Sequence, residues 1–305
     1  MYYFILNPNA KSGGSDSVWN RIEKTLQAEN LSYKSFVTEH PGHGTQIAAS
    51  ISAHDPEATI IAVGGDGTIH DILCGLENLE TVSFGVIPSG SGNDFARGMG
   101  IMRKTNPAIQ TVIHPKSFRK MDVGFLTDRP ELRFGVSAGI GFDASICHEA
   151  LRSRIKHALN ILHAGNLTYS LLALKQAAFY KPGPMTVIID DAARYDFRKV
   201  FFAAVMNQQY QGGGLQLCPS ADPSDQYLDI FICGDISRLK LLTFLPTAYS
   251  GKHTHLKGLH FLRGRKVQII ADKSRPVHLD GESGGYSRTL TAGICPSQLK
   301  VLIPE

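Results

Sequence analysis

The chain has 305 residues, of which 43% are hydrophobic and 19% charged, a globular balance that excludes a disordered tail protein. At roughly 150 residues per domain this length suggests two domains. Thirty-one Lys and Arg against twenty-seven Asp and Glu leave a net charge of +4, too little to argue for nucleic acid but compatible with anionic phosphates or an anionic lipid surface. No apolar run reaches the ~18 residues of a membrane-spanning helix. The apolar stretch Tyr2–Leu6 lacks a preceding basic segment and is too short for a secretory leader. Cys74, Cys147, Cys218, Cys233 and Cys295 are scattered and form no Cys-x-x-Cys pair. They argue against a zinc knuckle or a disulfide scaffold and make a reducing cytoplasm the default compartment.

Tyr2–Leu6 reads as a buried strand ending at Asn7-Pro8, and Asp16–Asn30 as a helix with Val18, Trp19, Ile22 and Leu26 on one period. Tyr33–Thr38 follows as a strand and His43–Ala53 as a helix. Ala58–Val63 is a continuous apolar strand ending in Gly64-Gly65, then comes a helix over Thr68–Leu76 and a strand over Ser83–Ile87 before Pro88. This alternation predicts a doubly wound, mostly parallel α/β domain over residues 1–120. The pattern then changes. Met121–Leu126, Arg133–Ala138, Met185–Ile189, Val200–Met206, Leu228–Cys233, Val267–Ala271 and Pro276–Leu279 are short strand candidates, interrupted by helical patches within Arg154–Tyr180 and around Ser237–Tyr249. They predict an antiparallel β-sandwich over 121–295. Lys300–Ile303 is a last strand with no assigned place; the final ten or so residues are free to return to the first domain. No internal repeat or low-complexity tract is present.

The strongest local signal is the strand that runs into Gly64-Gly65-Asp66-Gly67-Thr68 and then a helix. The glycines permit a tight turn that turns N–H groups toward an anion, and the helix start adds partial positive charge. Asp66 would repel a bare phosphate; it suits a metal, a hydroxyl to be oriented, or a helix cap. Ser89-Gly90-Ser91-Gly92-Asn93-Asp94 repeats the arrangement after the next strand, and parallel strands bring both loops to one carboxyl edge, where ligands bind. The first strand ends there as well, in a loop where Lys11 either reaches phosphates or is a solvated lysine. A Walker-type Gly-x-x-x-x-Gly-Lys-Ser/Thr and a dinucleotide Gly-x-Gly-x-x-Gly after the first strand are both missing.

In the second half, Asp280-Gly281-Glu282 follows a strand; it either presents a general base, which must come within ~3 Å of the hydroxyl it deprotonates, or is a plain turn with a solvated Glu. Asp222, Asp225 and Asp229 make an acidic loop that suits a hard cation or is simply a hairpin turn. His253, His255, His260 and His278 lack metal-ligand spacing and read as surface or packed histidines. Apolar residues within Leu159–Leu174 pack a core or border a lipid tunnel. Lys252, Lys257, Arg263, Arg265 and Lys266 form a basic stretch without an intervening acid, either a docking face for an anionic membrane or a solvated hairpin.

Taken together, Asn7-Pro8 with its glycine-containing loop, Thr38, Gly64-Gly65-Asp66-Gly67-Thr68, Gly90-Ser91-Gly92-Asn93-Asp94-Phe95-Ala96-Arg97, Gly139-Ile140-Gly141-Phe142-Asp143, Pro219-x-Ala221 before Asp225, and Asp280-Gly281-Glu282 resemble the bacterial soluble diacylglycerol kinase family. That family is related to sphingosine and ceramide kinases and distantly to NAD kinases. The resemblance is nearly full length. It implies an ATP-binding α/β domain, a lipid-receiving β-sandwich and a site in the cleft between them. It places Asn7, Pro8, Asn9, Ala10, Lys11, Thr38, Gly64, Gly65, Asp66, Gly67, Thr68, Ile69, His70, Asp71, Ser91, Asn93 and Asp94 around ATP. Glu282 matches the base for the lipid hydroxyl, Asp66 the acid tied to phosphate and catalytic Mg2+, and Asp225 a carboxylate ligand of a structural Mg2+ whose site backbone carbonyls near Asp222 and Tyr227 complete. The sequence departs from the family at Ile69-His70-Asp71, where a hydrophobic residue and Asn-Glu are usual, at Ser91 for Thr, and at Gln226 for Gly.

The expected activity is ATP-dependent phosphorylation of a lipid hydroxyl, with diacylglycerol giving phosphatidic acid as the default and a sphingoid base, ceramide, monoacylglycerol or phosphatidylglycerol as alternatives. An NAD kinase is disfavoured by Asn93-Asp94-Phe95-Ala96-Arg97, and a non-catalytic lipid-binding protein by the retention of Asp66, Asp94 and Glu282. The expected partners are ATP and a lipid at a membrane surface, with no nucleic acid; a homodimer is compatible with the sequence. The expected location is the cytoplasm, with peripheral membrane association.

Overall fold

The computed structural model describes residues 1–9, 15–102, 104–152 and 179–304. Ala10, Lys11 and most of the Arg154–Tyr180 stretch, with its apolar residues Leu159–Leu174, lie outside the described residues. The chain divides into two compact units, Met1–Val123 with Pro296–Glu305, and Gly124–Cys295. In chain order the first contributes β1 (Tyr2–Leu6), α1 (Ser15–Ala28), β2 (Tyr33–Val37), α2 (His43–His54), β3 (Thr59–Gly64), α3 (Asp66–Gly75), β4 (Ser83–Pro88), α4 (Asp94–Gly98), α5 (Thr105–Ile113) and β5 (Ser117–Met121). The second contributes β6 (Gly124–Leu126), β7 (Arg129–Phe134), β8 (Ser137–Gly141), α6 (Phe142–Arg152), β9 (Gly183–Ile189), β10 (Ala193–Met206), β11 (Leu228–Gly234), α7 (Arg238–Ala248), β12 (Leu259–Gly264), β13 (Val267–Leu279) and β14 (Glu282–Ile294). The chain then returns to the first unit as β15 (Leu299–Ile303).

The first unit is an α/β layer built on a six-stranded sheet in the order β2-β1-β3-β4-β15-β5, parallel except for the β15–β5 pair. Its central strands are apolar without alternation because both faces are covered. Phe4, Leu6, Ile61, Val63 and Ile87 pack with Ile22 and Leu26 of α1 and Ile109 and Val112 of α5, while the intervening Ile5, Ile60, Ala62 and Val86 are also buried. Two elements depart from the sequence reading. Met121–Leu126 is not one strand: β5 ends at Met121 and β6 starts at Gly124, in different sheets. β5 itself is an edge strand whose Phe118 is exposed beneath Lys300 Nζ, 4.7 Å from the ring centroid, so it carries little apolar pattern.

The second unit is a nine-stranded antiparallel array, β12-β11-β10-β8-β13-β14-β6-β7, with β9 pairing both β10 and β13. β10 and β13 are long and irregular, with register shifts between Phe197 and Val200 and between Ile270 and Arg275. Each therefore pairs β9 along one stretch and β8 along another. Ala203, Val205, Ile230 and Ile232 enter one core. Phe202, Ala204, Phe231 and Cys233 enter a second, with Leu241 and Phe244 of α7. Cover on both faces explains unbroken apolar runs in an antiparallel sheet. The expected strand Arg133–Ala138 is broken into β7 and β8, because the amides of Gly135, Val136 and Ser137 all turn onto the carboxylate of Asp280.

Candidate active site

In the first unit, register sets Leu6 beside Val63 and Gly64 beside Pro88, so β1, β3 and β4 release Asn7, Gly65 and Ser89 at one carboxyl edge. Three bonds tie this edge: Asn7 N to Val63 O at 3.1 Å, Thr38 N to Leu6 O at 2.8 Å and Ser89 N to Gly64 O at 2.8 Å. The two glycine loops meet backbone to backbone; a Cβ on Gly90 would stand 2.5 Å from the Gly65 Cα. Asn93, in the left-handed conformation at φ 52°, closes the second loop by accepting from Gly90 N and donating to Gly90 O. Asn7 Nδ2 donates to Thr68 Oγ1 at 3.2 Å and its Oδ1 accepts the Asn9 amide.

Asp66 does cap a helix, but not its own: its two carboxylate oxygens accept the amides of Asp94 and Phe95 at the start of α4. Thr68, Ile69 and His70 are buried, so in this stretch it is Gly65, Asp66, Gly67 and Asp71 that retain exposed surface, as does Ser91 in the second loop. Asp71 is turned to α2, accepting the Gly42 amide at 3.1 Å while its carbonyl accepts Thr45 Oγ1. Burial pushes its carboxyl above the ordinary range, opposed by the Gly42 amide and the neighbouring His70 and His40.

In the second unit, Asp280-Gly281 is a two-residue hairpin turn between β13 and β14, with φ of 50° and 88° and Leu279 paired with Glu282. Positive φ at both positions is the type I′ requirement that Asp-Gly meets. Asp280 is locked by three amides at 2.8–3.0 Å. Glu282, the first residue of β14, is half-buried, and among the described residues its carboxylate has no hydrogen bond or ion pair. Sequence reasoning missed the lock on Asp280, and it missed His278 and His148, which hold the residues on either side of Glu282: Gly281 N donates to His278 Nδ1, and Ser283 Oγ lies 3.0 Å from His148 Nε2. The one available signal was a histidine two residues before Asp280.

The acidic loop is partly neutralised by a neighbouring strand. Asp225 Oδ1 accepts the Tyr227 amide and Oδ2 pairs with the Arg263 guanidinium, which also lies over the Tyr227 ring at 4.5 Å. Asp222 is turned to Ser224. Burial pushes the Asp229 carboxyl up to about 6, with Arg263 opposing and Asp225 and Asp222 adding to the rise. Gln226 adopts the left-handed backbone, φ 61°, that a glycine would take there. The Asp225 oxygen that the resemblance assigns to a structural Mg2+ is here paired with the Arg263 guanidinium, and among the described residues no three His, Cys, Asp or Glu side chains gather to hold an ion. Asp66 suits one by chemistry: it is a hard-oxygen donor of the kind a divalent cation takes, and an ionised carboxylate offers about four lone-pair positions. The basic stretch is also partly neutralised from outside itself, by Asp191 on Lys266 and Asp225 on Arg263.

The sequence family described as "Diacylglycerol kinase catalytic domain" matches residues 1–126, and "YegS C-terminal NAD kinase beta sandwich-like domain" matches residues 136–303. The chain belongs to the diacylglycerol kinase family. Among its relatives, the protein named "Putative lipid kinase YtlR" of Bacillus subtilis (strain 168) is 31% identical over 98% of each chain. A "Diacylglycerol kinase" of Mycobacterium tuberculosis is 30% identical over 81% of this chain and 77% of that one. A crystal structure of a diacylglycerol kinase from Bacillus anthracis str. Sterne shares the fold, with a TM-score of 0.73 at 18% identity, covering 99% of this chain and 96% of that one. The protein is thus a lipid kinase, a phosphotransferase on the two-unit α/β and β-sandwich fold, and the NAD kinase and non-catalytic readings fall away. Among the described residues no helix is long and apolar enough to cross a membrane.

Proposed function

We propose that the enzyme transfers the γ-phosphoryl group of ATP to the free hydroxyl of diacylglycerol, giving phosphatidic acid, at the surface of a membrane. The observation that carries this reading is Glu282, held at the head of β14 by a locked turn while its carboxylate keeps no partner among the described residues. A general base needs that combination of fixed position and open lone pairs. In this reading Glu282 takes the hydroxyl proton as the oxygen attacks phosphorus, and the ADP oxygen leaves from the opposite side. The glycine loops at Gly65–Gly67 and Gly90–Gly92 hold the phosphates through backbone N–H groups, with Asn7, Thr38 and Ser91 beside the nucleotide. Asp66 would hold Mg2+, which would supply positive charge to neutralise the transferring group.

A sphingoid base, ceramide, monoacylglycerol or phosphatidylglycerol offers the same hydroxyl chemistry. The test is transfer from radiolabelled ATP to a panel of these lipids in mixed micelles, with wild type and Glu282→Gln. Labelled phosphatidic acid from wild type alone is the expected result. Label on another lipid instead would replace diacylglycerol as the substrate, and label on none would overturn the reading.

A further inference from the structure

Asp143 and His278 have no role in the transfer chemistry above, yet they are buried and joined. His278, with no exposed surface, places Nε2 3.0 Å from Asp143 Oδ2. Gln211 Nε2 lies 3.3 Å from both His278 Nε2 and Asp143 Oδ2; an ionised carboxylate only accepts, so with Asp143 taking both as donors His278 Nε2 carries the imidazole proton. The second ring nitrogen, Nδ1, is then an acceptor, and Gly281 N–H donates to it at 3.3 Å. Asp143 is itself held: Oδ1 accepts the Ala144 amide at 2.8 Å and Oδ2 accepts Gln211 Nε2 at 3.3 Å. Gly139 lies opposite His278 in the β8–β13 pairing, and a Cβ there would overlap both Asp143 Oδ2 and His278 Nε2. The absence of a side chain at Gly139 and the carboxylate at Asp143 thus belong to one arrangement.

We infer that Asp143 and His278 are a positioning pair for Glu282. Asp143 holds the imidazole in the tautomer that accepts from Gly281, and this bond fixes the peptide from which Glu282 projects. Gly281, at φ 88°, is the turn residue with the widest backbone freedom, so an anchor there restricts the carboxylate directly. On the other side His148 Nε2, 2.8 Å from Val277 O, shares its proton with Ser283 Oγ at 3.0 Å. The inference rests on Glu282 being the base. A misplacement of about 1 Å at a reacting group costs on the order of a hundredfold in rate.

The test separates the two nitrogens of His278. Asn in its place keeps an acceptor near the Nδ1 position and gives up Asp143; Gln reaches the Nε2 position and gives up Gly281. Steady-state rates are measured on dioleoylglycerol in mixed micelles, or on whichever lipid of the panel wild type phosphorylates best. His278→Gln should lower kcat about 10- to 100-fold with KM for ATP and lipid nearly unchanged, His278→Asn should recover most of the loss, and the near-isosteric Asp143→Asn should fall between them. In a Glu282→Gln background, His278→Gln should add nothing further. Equal losses for Asn and Gln that track thermal midpoints, or the same loss with and without Glu282, would overturn the pair as a positioning device. If Glu282→Gln alone retains wild-type turnover, the base reading itself fails, and the inference with it.

Discussion

Asp66 and Phe95 are joined across two loops: the carboxylate of Asp66 accepts the Phe95 amide at 3.0 Å, and its other oxygen accepts the Asp94 amide at 3.1 Å. The acid at the start of α3 therefore caps α4, and the two glycine loops are tied together by this group, which is also the acid proposed to act beside the phosphates. Asp66→Asn keeps one acceptor and loses the charge. It should cost about 1 kcal/mol, the usual worth of a cap, visible as a drop of a few degrees in Tm, and should lower turnover at saturating Mg2+ and ATP by about a hundredfold or more. Retention of over a tenth of wild-type turnover would leave Asp66 a cap alone.

Arg263 pairs with Asp225, the carboxylate expected to bind a structural cation. The thermal midpoint of nucleotide-free wild type should be the same in Mg2+ and in EDTA. Arg263→Ala removes the ion pair and the stacking on Tyr227, a loss of about 1 kcal/mol for a half-exposed group, and should make the midpoint rise with Mg2+. A Mg2+-dependent midpoint in wild type would show that the cation displaces the guanidinium.

Burial raises the Asp71 carboxyl above its ordinary 3.8. The folded state then binds a proton that the unfolded state has released, so stability falls as pH rises from the ordinary value through the raised one. Asp71→Asn retains an acceptor for the Gly42 amide and removes the titration. Chemical denaturation from pH 3.5 upward should show a steeper decline for wild type than for the variant; parallel curves would remove Asp71 as the source.

Membrane docking should be weak. Of the five basic residues between 252 and 266, Lys266 and Arg263 are paired with Asp191 and Asp225, while Lys252 and Lys257 are exposed. At ~1 kcal/mol for each Lys or Arg near an anionic leaflet, binding to anionic liposomes should be detectable at low salt and lost at high salt. Lys252→Glu with Lys257→Glu should abolish it. Equal sedimentation with neutral and anionic liposomes would discard electrostatic docking.

The parallel arrangement of β1, β3 and β4 was legible from apolar runs alternating with helical periods, as were β11, α7 and the Val200–Met206 half of β10 in the second unit. β5 was not, because Ser117–Met121 mixes charges with few apolar residues. α5 carried no cap signal and has Pro107 within its first turn. The glycine loops and the Asp280-Gly281-Glu282 turn could be found by residue type alone, since only certain residues tolerate those backbone conformations. What each carboxylate does there could not. Asp66 and Asp280 read alike as acids beside glycines, yet both are amide acceptors of distant loops, and Glu282 is the one left open.

The sequence by itself determined the elements with strong periodicity, the change from α/β to β-rich organisation after about residue 120, and the residue types gathered at the loops. Those depend on side-chain period and backbone tolerance, which are local. The tertiary structure decided the place of Lys300–Ile303, set between β4 and β5 by pairing with both, and the partners of Asp66, Asp143, Asp225 and Asp280. Asp280 meets its amides across 143–145 residues of chain and His278 meets Asp143 across 135. A hydrogen bond between such groups forms only after both strands are placed in register, so no local pattern announces it.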